Sequence, residues 1–161
     1  MTARGISFTL NARSVSVNAD PATSLLRVLR DELSLTGTKQ GCDAEGECGA
    51  CTVILDGEAV RSCLVPVGKV AGRSVTTIEG IGTEDHPHPL QTAFLEAGAV
   101  QCGYCTPGMI MATTAFLKDN PHPTEADIRE HGLEGNMCRC TGYQNIVAAV
   151  QTAAEKMGGG D

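Results

Sequence analysis

Residues 101–108 read QCGYCTPG and residues 137–143 read MCRCTGY. Two residues separate Cys102 from Cys105, and one separates Cys138 from Cys140. Each pair stands at the start of a predicted helix. Thr106 reads as an N-cap with Pro107 at the first helical position, and a second helix begins around Gly142–Tyr143 with Ile146, Val150, Ala153 and Met157 at helical spacing. Sulfur-bearing loops at two helix N-termini suit an anionic centre, because the helix end carries partial positive charge. Four more cysteines lie upstream at Cys42, Cys48, Cys51 and Cys63, so any reading has to account for eight.

Composition excludes several classes. The chain has 161 residues, enough for one ordinary domain or two small ones, and its 42% hydrophobic content supplies a core. The net charge of −7 offers no basic stripe for phosphates, so no nucleic-acid partner is expected. With no Trp, two Tyr and three Phe, the chain has little with which to stack a flavin or an aromatic substrate. No export signal or membrane-length apolar run is evident, so a cytoplasmic protein without membrane insertion is expected. In a reducing compartment eight cysteines point to metal rather than disulfides.

The chain divides into two halves of different character. From Ile6 to Val17 apolar residues alternate around Asn-Ala-Arg, which predicts a hairpin. Thr23 is a candidate cap for a helix carrying Leu25, Leu26, Leu29 and Leu33, with Gly37 beyond its end, and further strands are read in CTVILDG, EAVRSCLV and RSVTTIEGI. Asp56-Gly57 is a hairpin turn signal. Residues 1–80 therefore read as an α+β sheet domain with one helix across it. Residues 81–89 form a charged, Pro-containing linker, and residues 90–161 read as four helices. The helical signals are a Leu90, Phe94 and Leu95 stripe ended by Gly98, the start at Thr106, a Thr124/Asp127 capping box, and the last stripe; the terminal GGGD is expected to fray.

In the first half five residues separate Cys42 from Cys48, two separate Cys48 from Cys51, and eleven separate Cys51 from Cys63. This approaches the plant-type ferredoxin spacing with one residue in excess between the first two, which a bulge near Gly46 would absorb. Gly41, Gly46 and Gly49 would let the backbone curl and aim N–H groups at sulfur. A [2Fe-2S] core held by four thiolates carries a charge of about −2, and a tetrathiolate zinc site carries the same, so electrostatics leaves iron and zinc both open. A free-standing ferredoxin-like carrier and a zinc-stabilised interaction module are the rival readings. Arg139 is placed to stabilise the anion at the second set.

Taken together and in order, CDAEGECGACTV with the later Cys63, QCGYCTPGMI and GNMCRCTGYQNIV resemble the iron-sulfur subunit of the molybdenum hydroxylase (xanthine oxidase) family over nearly the whole chain. The resemblance implies an N-terminal β-grasp, ferredoxin-like domain followed by a C-terminal four-helix domain, each with one [2Fe-2S] cluster. It implies that Cys102, Cys105, Cys138 and Cys140 hold the molybdenum-proximal cluster and Cys42, Cys48, Cys51 and Cys63 the flavin-side one. It further implies that Gln101 contacts the pterin, and that electrons pass between a molybdopterin centre and FAD, which large and medium partner subunits carry. One expected assembly is a dimer of such heterotrimers. The chain has no dinucleotide-binding glycine fingerprint, as EGIGTEDHP lacks the third glycine and opens no helix, so no catalytic residue is assigned to it.

The remaining polar residues receive plainer readings. His86, His88 and His122 are read as solvated loop histidines, and His131 as a partner of helix-terminal carbonyls. Asp43, Glu45 and Glu47 are read as a solvated loop face, and Tyr104 and Tyr143 as packing or as a cover for the second set.

Overall fold

The alternation between Arg4 and Ala19 becomes two strands, β1 (Arg4–Leu10) and β2 (Arg13–Ala19), closed by Asn11 and Ala12, both at positive φ. Left-handed residues at both central positions match the turn to the strand twist. The structure is a computed structural model that describes residues 4–158; of the GGGD stretch expected to fray, Gly158 is helical and residues 159–161 lie outside the described residues. A helix follows, α1, wound as α over Leu25–Arg27 and as π over Val28–Glu32. Its cap is Ser24 rather than Thr23: the Ser24 hydroxyl accepts the Arg27 amide at 3.3 Å. The helix ends at Leu33, with Ser34 at φ 57° supplying the left-handed residue, so the reversal comes earlier than Gly37.

Strands β3 (Thr52–Leu55) and β4 (Glu58–Arg61) pair across the Asp56-Gly57 turn, and β5 (Ser74–Thr76) closes the set. The order is β2-β1-β5-β3-β4, with β5 parallel to β1 and antiparallel to β3. Ile6, Phe8, Leu10, Val53, Leu55 and Val75 face Leu25, Val28 and Leu29 of α1, which accounts for the period-2 pattern in the strands.

Beyond Gly80 residues 81–88 are irregular, and every regular element after them among the described residues is helical. The chain forms α2 (Pro89–Glu96), α3 (Thr106–Asp119), a short α4 (Glu125–Asp127) that continues as a π-turn over Ile128–Gly132, and α5 (Tyr143–Gly158). Leu90, Phe94, Met109, Ile110, Ile128, Ile146 and Val150 form its core. Two stripe residues belong elsewhere: Leu95 is 73% exposed and Met157 is 42% exposed. The Thr124/Asp127 capping box is present in both directions. His88 is not a solvated loop residue, because its Nδ1 accepts the Leu90 amide and Gln91 caps back onto the His88 amide. His86, His122 and His131 are exposed.

The two cores meet through α3, which also packs on β3. Gly108 makes this approach possible: it is buried, and a Cβ there would overlap the Gly49 carbonyl oxygen and stand 3.0 Å from Ala50 Cα. The start of a helix in one half is thereby seated on the cysteine loop of the other.

Candidate metal centres

The loop from Gly41 to Cys51 is built from left-handed residues, with Asp43, Ala44, Gly46 and Gly49 all at positive φ. The extra residue between Cys42 and Cys48 is taken up by the Asp43–Ala44 turn, where the Glu45 amide bonds the Cys42 carbonyl at 3.0 Å, as well as near Gly46. Leu64 closes over Gly46, leaving no room there for a side chain. Asp43, Glu45 and Glu47 point to solvent as expected, while their alternates Cys42, Ala44, Gly46 and Cys48 are half-buried.

This curl turns the backbone amides of Cys48, Glu47 and Glu45 toward the Cys42 sulfur, which lowers its pKa to about 7, the Cys48 amide contributing most. The Cys48 thiol, hydrogen-bonded to Cys42, is pushed up, chiefly by burial. Cys51 and Cys63 are buried side by side behind them, held by Ser62, whose hydroxyl donates to the Cys51 carbonyl at 2.7 Å. Burial first, and then contact with the Cys51 thiol, push Cys63 up to about 12.

The second set repeats the arrangement at two helix ends. Cys105, and not Thr106, is the N-cap of α3, although its side chain makes no capping hydrogen bond, and Thr106 and Pro107 fall in the first turn. Cys138 and Cys140 precede α5, with Thr141 at φ 61° between them and the helix. Cys102 meets Cys140 and is drawn down, mainly by the Tyr104 amide. Cys105 meets Cys138 and is pushed up to about 12, mainly by burial. Cys102 is the one exposed cysteine among the described residues.

Both sets suit a dinuclear metal core. Without a cation the more buried thiols Cys63 and Cys105 resist ionisation, through burial first and the neighbouring thiol second, whereas a bound metal deprotonates its thiols outright. Side-chain hydrogen bonds join Cys42 to Cys48, Cys51 to Cys63, Cys102 to Cys140 and Cys105 to Cys138, while Cys63 also feels Cys42 and Cys105 feels Cys102, so each set is one group of four. A zinc ion needs four sulfurs about 2.3 Å from one centre, while a two-iron cluster takes two thiolates at each iron.

The sets are adjacent. Cys42, Cys48, Cys102, Cys105 and Cys138 line one crevice of ≈ 630 Å³ with Tyr104, Met137 and Arg139. The Met137 amide donates to the Cys48 carbonyl at 3.0 Å, joining the two cysteine loops directly. The Tyr104 hydroxyl crosses the same junction to the Gln40 carbonyl. Tyr143 holds the second loop: its oxygen accepts the Cys138 amide at 2.7 Å and donates to the Asn136 carbonyl at 3.3 Å. Gln101 lies exposed beside Cys102, its Nε2 3.4 Å from the Cys140 carbonyl. Sequence reasoning missed Met137, Gly108 and Arg61, whose guanidinium reaches the Gly135 carbonyl at 3.3 Å; no local pattern marks contacts that the tertiary fold creates.

Comparison with known proteins identifies the metal. Residues 8–73 match the model of a 2Fe-2S iron-sulfur cluster binding domain, and residues 77–151 match that of a [2Fe-2S] binding domain. The nicotinate dehydrogenase small FeS subunit of Eubacterium barkeri is 48% identical, the match covering 94% of this chain and 95% of that one. The alpha chain of isoquinoline 1-oxidoreductase from Brevundimonas diminuta is 49% identical over 94% of this chain and 98% of its own. A chain of the crystal structure of quinoline 2-oxidoreductase from Pseudomonas putida superposes with a TM-score of 0.92 at 38% identity, over 99% of both chains. Two family models side by side, the paired thiols and relatives matched almost end to end lead to one conclusion: the chain belongs to the iron-sulfur subunits of the molybdenum hydroxylase family of oxidoreductases.

Proposed function

We propose that this chain is the electron relay of a molybdenum hydroxylase, passing electrons between a molybdopterin centre and FAD on partner subunits. Cys102, Cys105, Cys138 and Cys140 hold the molybdenum-proximal [2Fe-2S] cluster, and Cys42, Cys48, Cys51 and Cys63 hold the flavin-side one. The clusters, when bound, supply one-electron redox capacity. The protein aims amides at sulfur, buries Cys51 and Cys63, and fixes the spacing of the two loops. The observation that carries the reading is the hydrogen bond from the Met137 amide to the Cys48 carbonyl, which makes neighbours of two otherwise separate four-thiol sets.

The same reading divides the chain into a β-grasp domain at 1–80, a linker at 81–89 and a four-helix domain at 90–161. It places the large molybdopterin subunit beside exposed Cys102 and Gln101, whose amide presents a donor and an acceptor to a pterin edge. The medium FAD subunit faces the first loop, and a cytoplasmic dimer of heterotrimers is the expected assembly. Among the described residues no helix is long and apolar enough to cross a membrane. The test is purification of the tagged chain from its own cells with cofactor analysis. Two larger chains carrying molybdopterin and FAD are expected; a chain that purifies alone with its clusters filled would identify a free-standing carrier instead.

A further inference from the structure

Two buried polar atoms at the seam between the halves find no partner among the described residues: Arg61 Nε and Asn136 Oδ1. Both residues line a groove of ≈ 710 Å³ between β3–β4 and α3. Arg61 ends β4 opposite Thr52, next to Cys51 in the chain, and lies two residues before Cys63. Its guanidinium crosses the seam to the Gly135 carbonyl, three residues before Cys138. Gly135, at φ +67°, leaves space for it, because a Cβ there would coincide with the guanidinium. Chain length alone keeps Arg61 within about 7 Å of Cys63 and Gly135 within about 11 Å of Cys138, Cα to Cα.

Among the described residues the guanidinium makes no ion pair within 4.0 Å. Glu58, Asp119 and Glu134 line the same groove, yet the ion pairs among the described residues join Arg27 to Asp31, Arg73 to Asp56, Arg129 to Glu125 and Lys156 to Glu96. A part-buried cation left unpaired is costly unless other negative charge offsets it. Thiolate-held clusters, when bound in the two cysteine loops that Arg61 and Gly135 adjoin in the chain, would add such charge, each about −2 and one unit more negative when reduced. We propose that Arg61 is a shared counter-charge for both centres, a positioning residue that raises the reduction potential of each. Because a charge outside the ligand set acts more strongly on the more negative, reduced form, its removal disfavours reduction on both sides of the seam.

The inference rests on the two-cluster reading, and the experiment separates the two. Redox titrations of the assembled oxidoreductase, followed by electron paramagnetic resonance, are compared for wild type, Arg61→Met, Arg61→Gln and Arg61→Lys. Absence of two cluster signals in wild type would fail the reading itself. With both signals present, Arg61→Met and Arg61→Gln are expected to shift each reduction equilibrium about tenfold toward the oxidised form, about 59 mV for a one-electron couple, while Arg61→Lys stays near wild type. If Arg61→Met loses a cluster, the Gln variant, which keeps a donor for the Gly135 carbonyl, and the Lys variant decide by the same comparison. Unshifted potentials, a shift at one centre only, or Arg61→Lys falling as far as the neutral variants would overturn the proposal.

Discussion

Gly108→Ala tests whether the seating of α3 on the first cysteine loop holds the two halves together. The added methyl would overlap the Gly49 carbonyl oxygen and sit 3.0 Å from Ala50 Cα and 3.2 Å from the Ala50 carbonyl carbon. These are backbone atoms between Cys48 and Cys51 and cannot rotate aside, so helix and loop must separate by about 1 Å to regain ordinary contact. Overpacking of this kind costs about 1–3 kcal/mol. The opposing gain of Ala over Gly in a helix is at most about 1 kcal/mol, and less in a first turn whose amides are not yet bonded along the helix. The net loss is about 1–2 kcal/mol, which for a chain of this length lowers Tm by roughly 2–8 °C. Far-UV circular dichroism of the purified protein measures the shift, with iron content determined on the same sample. A Tm equal to or above wild type, with full iron content, would refute the argument that backbone contact at Gly108 sets the junction.

Other outcomes follow from the same geometry. Cys48→Ser keeps the backbone carbonyl that accepts the Met137 amide, so it should remove one cluster signal and about half the iron while the second signal remains unchanged; loss of both, or of neither, contradicts the assignment. Gln101→Leu should keep both clusters in the assembled complex and lower its molybdopterin content or slow reduction of the clusters, at a cost of about 1 kcal/mol for one neutral hydrogen bond. Wild-type cofactor content and transfer rate would confine Gln101 to its Cys140 carbonyl contact. His88 must be neutral at Nδ1 to cap α2, and burial lowers its pKa below the ordinary 6.5. The unfolded chain therefore binds that proton more readily, so the stability His88 contributes is complete above about pH 6.5 and is lost as the pH falls through the depressed folded value. His88→Asn, which caps without titrating, should flatten the dependence of Tm on pH between about pH 7 and pH 5; an unchanged slope would remove His88 as its source.

The features legible in the sequence are those fixed by near neighbours. Ile6, Phe8 and Leu10 alternate because one sheet face is buried, and Asp56-Gly57 turns because both residues accept positive φ. Thr124 and Asp127 cap each other within one turn. The eight cysteines announced themselves by spacing. Boundaries were less legible wherever a neighbouring residue could serve as well: Ser24 caps in place of Thr23, Ser34 makes the reversal expected near Gly37, and Cys105 stands where Thr106 was the better intrinsic cap. Leu95 and Met157 fit a helical stripe, but the core is already closed by Phe94 and Ala153. At the site, Arg61 reaches Gly135 across 74 positions, and the Met137 to Cys48 bond uses only backbone atoms, so neither leaves a trace in residue type.

The central claim is two [2Fe-2S] clusters in one chain, and electron paramagnetic resonance of the fully reduced protein tests it directly. One set lies in a glycine-punctuated loop beside the sheet with two buried thiols, and the other lies at two helix ends with Cys102 exposed. Their unlike hydrogen bonding and exposure should give two distinct signals that together integrate to about two spins per chain. A single signal of about one spin, or a colourless, silent protein containing zinc, would contradict the account.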